Sequence, residues 1–163
     1  MYYLTDKLHL RQNILMLTLR PHHLIDIIAS IGRGDEIKPH PYGHDVHRIT
    51  KKVIEDPQIE VKFINGADDI CEPCAHLMDN NLCDDVLSQL EHPISKQEYN
   101  DDLDDRLFKY LGIREGDILK LPEYLDLIEA MIPGIEKMCT HPKRDEQEKL
   151  EGIIKGLEKL RSD

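Results

Sequence analysis

Residues 14–24 read ILMLTLRPHHL. The apolar run ends at Pro21, which cannot continue a strand but suits the first turn of a helix, where its missing N–H is not needed. The stretch therefore predicts a short strand over 14–20 and a helix through HHLIDIIAS. Outward from it, GRGDEIKPHPYG reads as a loop, and a second helix is expected from about His44 to Glu55. QIEVKFING, residues 58–66, then alternates Ile59, Val61 and Phe63 with Glu60, Lys62 and Ile64, the period of a strand. Two strands separated by helices predict a parallel pair joined by a crossover. Parallel strands end on one edge of the sheet, so RPHHL and the following DDICEPC should emerge side by side.

The rest of the chain is expected to be helical. Ser95 and Glu98 have the spacing of a capping box ahead of Tyr99, Leu103, Leu107 and Leu111. A further helix is predicted from Pro122 to near Pro133 and Gly134. In the last one, Leu150, Ile153, Ile154, Leu157 and Leu160 share a face that Gly152 and Gly156 should weaken. The expected fold is α+β and mostly helical, a small parallel two-stranded sheet with five or six helices. It is expected as a single domain over 1–163, with an N-terminal extension at 1–15, a core at 16–142 and an amphipathic C-terminal helix at 143–163.

The 163 residues carry 32 acidic and 21 basic side chains, a formal charge of -11. That balance repels phosphate backbones and anionic lipid, and with no Trp and two Phe the chain lacks stacking platforms, so neither nucleic acid nor membrane is an expected partner. Asp6 and other polar residues interrupt the N-terminal apolar content, unlike a secretory signal, and a cytoplasmic location is expected.

Three of the four cysteines fall in DDICEPCAHLMDNNLC, residues 68–83. In a reducing compartment such clustering points to metal binding or thiol redox chemistry rather than a disulfide. The CxxC of Cys71 and Cys74 lets the chain curl around one metal. Asn80 and Asn81 suit a turn returning Cys83 to the pair, and Cys139 brings the number of thiols to that of a tetrahedral zinc site or a four-iron cluster. One knuckle, a near third cysteine and a remote fourth resemble cluster ligation more than paired zinc knuckles. A structural zinc site, a thiol redox pair and unligated buried cysteines remain as alternatives. Asp68 and Asp69 are expected to cap the turn carrying Cys71 rather than to bind metal.

These strings resemble a known family. LRPHHL at 19–24, GADDICEPCAHL at 66–77, Cys83, LGIREGD at 111–117 and Cys139 occur in the order seen in a prokaryotic domain-of-unknown-function family, number twelve eighty-four, whose members are often described as iron-sulfur-binding. The resemblance spans about Met16 to Cys139 and implies a cluster without implying a reaction. Where the family pattern often carries a second CxxC near its end, this chain has Pro142 three positions after Cys139, which argues against a second cluster. DEIKPHP ahead of Tyr42, followed by His44 and His47, is a further departure.

Of nine histidines, five lie between positions 22 and 47. Neighbours on a helix diverge by about 100°, so one of His22 and His23 at most should face the cysteines, with Arg20 nearby. His76, two residues beyond Cys74, is a candidate alternative ligand, as is His141. His44 and His47, with His40, have a spacing that a transition metal could use, although exposed loop histidines explain it equally. The expected function is a metal-cofactor protein holding one [4Fe-4S] cluster through Cys71, Cys74, Cys83 and Cys139, with Arg20, His22, His23 and His76 around it. It would serve electron transfer or small-substrate chemistry with a redox partner protein or small molecule. The alternative is a structural zinc module for protein interaction. Reaction, oligomeric state and the role of His40, His44 and His47 are not legible.

Overall fold

A computed structural model describes residues 15–88, 90–139 and 145–162. The N-terminal extension up to residue 14, together with His141 and Pro142, lies outside the described residues. Leu17–Leu19 forms β1, with Leu17 and Leu19 buried and Thr18 half-buried, as a period of two requires. Pro21–Arg33 forms α1, which starts directly on the proline and stops at Gly34, whose φ of 73° few residues but glycine tolerate. Val46–Glu55 forms α2 and Glu60–Phe63 forms β2. β1 and β2 pair in parallel, with Leu17 opposite Val61 and Leu19 opposite Phe63.

The downstream half is less uniformly helical than its pattern predicts. Val86–Leu87 (β3) and Ile94–Ser95 (β4) form an antiparallel hairpin ahead of α3, Lys96–Leu111. Ile118–Lys120 forms β5, which pairs antiparallel with β2 and makes the predicted two-stranded sheet a three-stranded mixed one in the order β1-β2-β5. Strands of two or three residues carry too short a pattern to be read from sequence. They exist because a neighbouring edge supplies hydrogen bonds, as the free edge of β2 does for β5. Leu121–Ala130 (α4), a 3₁₀ turn at Ile135–Lys137 and Glu146–Arg161 (α5) complete the order.

Leu19, Val61 and Phe63 pack with Leu24 and Ile28 of α1, Leu107 of α3, Tyr124 and Ile128 of α4 and Ile153 of α5 in one apolar cluster. Tyr124 stacks on Phe63 with centroids 4.5 Å apart and donates to the Pro21 carbonyl at 2.9 Å, so its hydroxyl is satisfied inside the core. The Ser95 hydroxyl accepts from the Glu98 N–H at 3.3 Å and so caps α3. Ser95→Ala should cost about 1 kcal/mol in urea unfolding.

Gly152 and Gly156, expected to weaken the last helix, are where α5 touches α1. A Cβ on Gly152 would stand 2.9 Å from the Ala29 carbonyl oxygen, and one on Gly32 would stand 2.6 Å from the Gly156 nitrogen. The helices are the most extensively packed pair in the fold, and they meet backbone to backbone. The propensity lost at these glycines is repaid by contact area no larger residue would permit.

Candidate metal centre

The parallel register sets the site. Because β1 and β2 end on the same edge, RPHHL and DDIC leave it together, and Asp68 and Asp69 stitch them. The Asp69 N–H donates to the Thr18 carbonyl at 3.0 Å while its carboxylate accepts from the Thr18 N–H at 2.8 Å, so Asp69 extends the sheet instead of capping the cysteine turn as expected. Asp68 does cap that turn. Its Oδ1 accepts from the N–H groups of Ile70 at 3.0 Å and Cys71 at 3.2 Å, and its Oδ2 accepts from the Arg20 N–H at 2.8 Å and contacts His23 Nδ1 at 2.6 Å.

After Cys71 the chain makes two successive turns, Cys74 N–H to the Cys71 carbonyl at 2.9 Å and Leu77 N–H to the Cys74 carbonyl at 3.1 Å, which coil the CxxC on itself. Asn81 takes a left-handed φ of 63°, and Asn80 accepts from the Leu82 N–H at 3.1 Å, so the chain reverses and Cys83 bridges back to Leu77. Cys71, Cys74 and Cys83 consequently line one cavity, together with Arg20, His23, His44, His76 and Lys96. Cys139 lines the adjoining cavity instead, with its sulfur 3.4 Å from the Tyr99 hydroxyl. The two cavities share His23, His44, Lys96 and Asn100 as their common wall.

All four thiols are unpaired. Burial, aided by the Asp68 charge, pushes the Cys71 thiol up to about 12. A cation that takes Cys71 as a ligand would have to displace its proton. Among the described residues, one group of three or more ligand-type side chains has its ligand atoms all within 4.8 Å of one another: His23, Asp68 and Cys71.

The adjacent histidines keep their rings in contact, with centroids 4.3 Å apart, but take different carboxylates. His23 turns to the cysteine cavity and pairs with Asp68; burial opposes its charge, but the carboxylate prevails and raises its pKa, while the same contact brings Asp68 down to about 2 despite its burial. His22 pairs instead with Asp104, its Nδ1 2.8 Å from that carboxylate, and burial together with repulsion from His23 lowers its pKa. Arg20 donates to Asp101 at 2.8 Å and Asp104 at 3.0 Å, and Asp101 also receives Gln97, whose side-chain oxygen accepts from the Cys83 N–H at 2.8 Å. A continuous polar network thus joins Arg20 to the backbone of the third cysteine.

Sequence reading missed Asp101, Asp104, Gln97 and Lys96. The run NDDLDDR looks like a solvated helix face. A signal was present nonetheless: Asp104 precedes Phe108 by four and Leu111 by seven residues, on the buried stripe, where a carboxylate requires partners.

His40 and His44 stack with centroids 4.1 Å apart, and the buried Nδ1 of His44 has no hydrogen-bond partner among the described residues. Burial and the neighbouring His40 push the His44 imidazole down from 6.5 to about 4, with Lys96 and His23 adding to the repulsion. A depressed folded-state value means that His44 favours folding above pH 6.5 and that this contribution is lost as pH falls toward 4. The loss of urea resistance between pH 7.5 and pH 5 should accordingly be smaller in His44→Gln than in the parent chain; equal losses would contradict this.

No helix among the described residues is long and apolar enough to cross a membrane. No curated protein and no solved structure is significantly similar to the chain. A family model does match, over residues 40–144, which takes in all four cysteines and begins after RPHHL, so Arg20, His22 and His23 stand outside the matched span. With well over half of its length covered, the chain belongs to the family described as "Protein of unknown function (DUF1284)".

Proposed function

We propose that this protein holds one iron-sulfur cluster, most simply of the [4Fe-4S] type, with Cys71, Cys74 and Cys83 as three of its ligands. The observation that carries the reading is the single cavity that those three cysteines line together. A single CxxC with a near third cysteine resembles cluster ligation more than the paired knuckles of zinc modules. Arg20 and Lys96 line the cavity, each already paired with a carboxylate, Arg20 with Asp101 and Asp104 and Lys96 with Asp85, so the lining is charge-balanced, and the His44 ring can donate a hydrogen bond to a bound group. When bound, such a group supplies one-electron transfer with a redox partner protein or small molecule, or Lewis-acid chemistry at an iron lacking a protein ligand. Cys139 is the remaining thiol, one cavity wall away.

A mononuclear zinc site that braces the 68–83 segment for protein interaction is the second reading, favoured by the compact group of His23, Asp68 and Cys71. Anaerobic purification distinguishes the two. A brown protein with about four irons and four inorganic sulfides per chain is expected, and Cys71→Ser, Cys74→Ser and Cys83→Ser should each lower iron content and stability together. A colourless protein carrying stoichiometric zinc and no sulfide overturns the cluster.

A further inference from the structure

The cluster reading leaves its fourth protein ligand unassigned, and resting on that reading, we propose that His23 is the fourth ligand, through Nε2, with Asp68 as the carboxylate that holds its ring in place.

The first support is the saturation of Asp68. An ionised carboxylate has about four acceptor positions, and Asp68 uses four: the N–H groups of Arg20, Ile70 and Cys71, and His23. It has no lone pair to offer a metal, although it stands within 4.8 Å of the other two groups. The compact group therefore reduces to two donors, His23 and Cys71, with a carboxylate behind them. The second support is the tautomer. With Nδ1 directed at Asp68 over 2.6 Å, the nitrogen that His23 has left to offer is Nε2. A carboxylate bonded to one ring nitrogen while the other meets a metal is the usual arrangement for a ligating imidazole, because it fixes the ring plane and raises the basicity of the donor. Third, the pair is sequestered: the His23 side chain is 17 % exposed and that of Asp68 0 %. An orientation set by such a pair survives solvent competition.

The other donors at the cavity are less well built. His76 forms the same kind of pair with Asp84 at 2.8 Å, but that carboxylate is 51 % exposed and the ring stands edge-on to Tyr42 with centroids 4.4 Å apart. Cys139 faces the neighbouring cavity and contacts Tyr99. Charge also favours His23. A neutral imidazole in place of a fourth thiolate leaves the cluster one unit less negative, which suits a site bordered by Asp85 and, through Arg20, by Asp101 and Asp104. Imidazole ligation also raises the reduction potential relative to all-cysteine ligation.

The test is pulsed EPR on the anaerobically prepared, dithionite-reduced full chain, with iron and inorganic sulfide measured on the same samples. The wild type should show one strongly coupled ¹⁴N, retained in Cys139→Ser and in His76→Ala. In His23→Cys the coupling should vanish while iron and sulfide stay at the wild-type level, and the midpoint potential should fall. A wild-type cluster without strongly coupled ¹⁴N, or a coupling that persists in His23→Cys, overturns the assignment while leaving the cluster intact. If His23→Cys does not fold, a wild-type spectrum without strong nitrogen coupling still overturns the assignment, and a coupling that is lost in His44→Gln or His76→Ala overturns it as well, since those are the other imidazoles lining the cavity. A chain with zinc and no sulfide overturns the cluster reading itself, an outcome that the metal analysis separates from failure of the His23 assignment.

Discussion

Asp104→Leu is expected to destabilise the metal-free chain by about 3–5 kcal/mol, the range for removing one partner of a buried ion pair. Asp104 is 0 % exposed and accepts from the His22 N–H at 3.0 Å, contacts His22 Nδ1 at 2.8 Å and accepts from Arg20 at 3.0 Å. Leucine fills similar space yet leaves a guanidinium that is itself almost fully buried. Arg20 would keep only Asn65 and the part-exposed Asp101, neither of which replaces a charge inside the fold. Adding Arg20→Met should recover much of the loss, because the cost lies in the orphaned charge more than in the vanished attraction. Asp102→Leu, two residues away, is the control: Asp102 is 71 % exposed and pairs with Arg106 one turn on, a contact worth at most about 0.5 kcal/mol. Urea midpoints of the four chains check this, and an Asp104→Leu midpoint close to that of Asp102→Leu would refute it.

Gly156→Ala and Gly32→Ala should each cost about 3 kcal/mol, at the upper end of overpacking effects. The added methyl of Gly156→Ala would lie 2.8 Å from the Ile28 carbonyl carbon, and that of Gly32→Ala 2.6 Å from the Gly156 nitrogen. Both clashes are with helix backbone, which cannot rotate aside as a side chain can, so α1 and α5 must separate and the apolar contacts of Ile153 and Leu157 loosen with them. Gly66→Ala is the contrast: a Cβ there meets nothing within 4 Å and the backbone is not in the left-handed region, so the change should be neutral or slightly stabilising. In an isolated peptide of residues 145–162, Gly156→Ala should instead raise helicity, since alanine is the better helix former by about 1 kcal/mol. Opposite signs in peptide and protein are the signature of a tertiary cause, and a stabilised protein would exclude it.

Periodicity and punctuation sufficed for much of this protein. The alternation in QIEVKFING and the proline ending ILMLTLR place two short strands ahead of helix and loop, and the crossover between them makes the pair parallel. The meeting of RPHHL with DDICEPC follows from that pairing, and the capping of the cysteine turn by Asp68 and the turn at Asn80 and Asn81 follow from local residue preferences. Each depends on contacts a few residues apart or on a rule of handedness. The remainder rests on groups that meet only after packing. β5 has three residues and no pattern of its own beyond the edge of β2 that receives it. Asp101 and Asp104 differ from the solvated acids beside them only because Arg20 arrives from 81 and 84 residues away. Gly152 and Gly156 are poor helix residues until α1 lies against them. Cysteine spacing, finally, is a one-dimensional quantity. It groups four thiols, and the fold adds their setting: Cys71, Cys74 and Cys83 line one cavity, while α3 brings Tyr99 to Cys139 in the cavity that adjoins it across His23, His44, Lys96 and Asn100, because long-range side-chain contacts, not separation along the chain, decide what surrounds each donor.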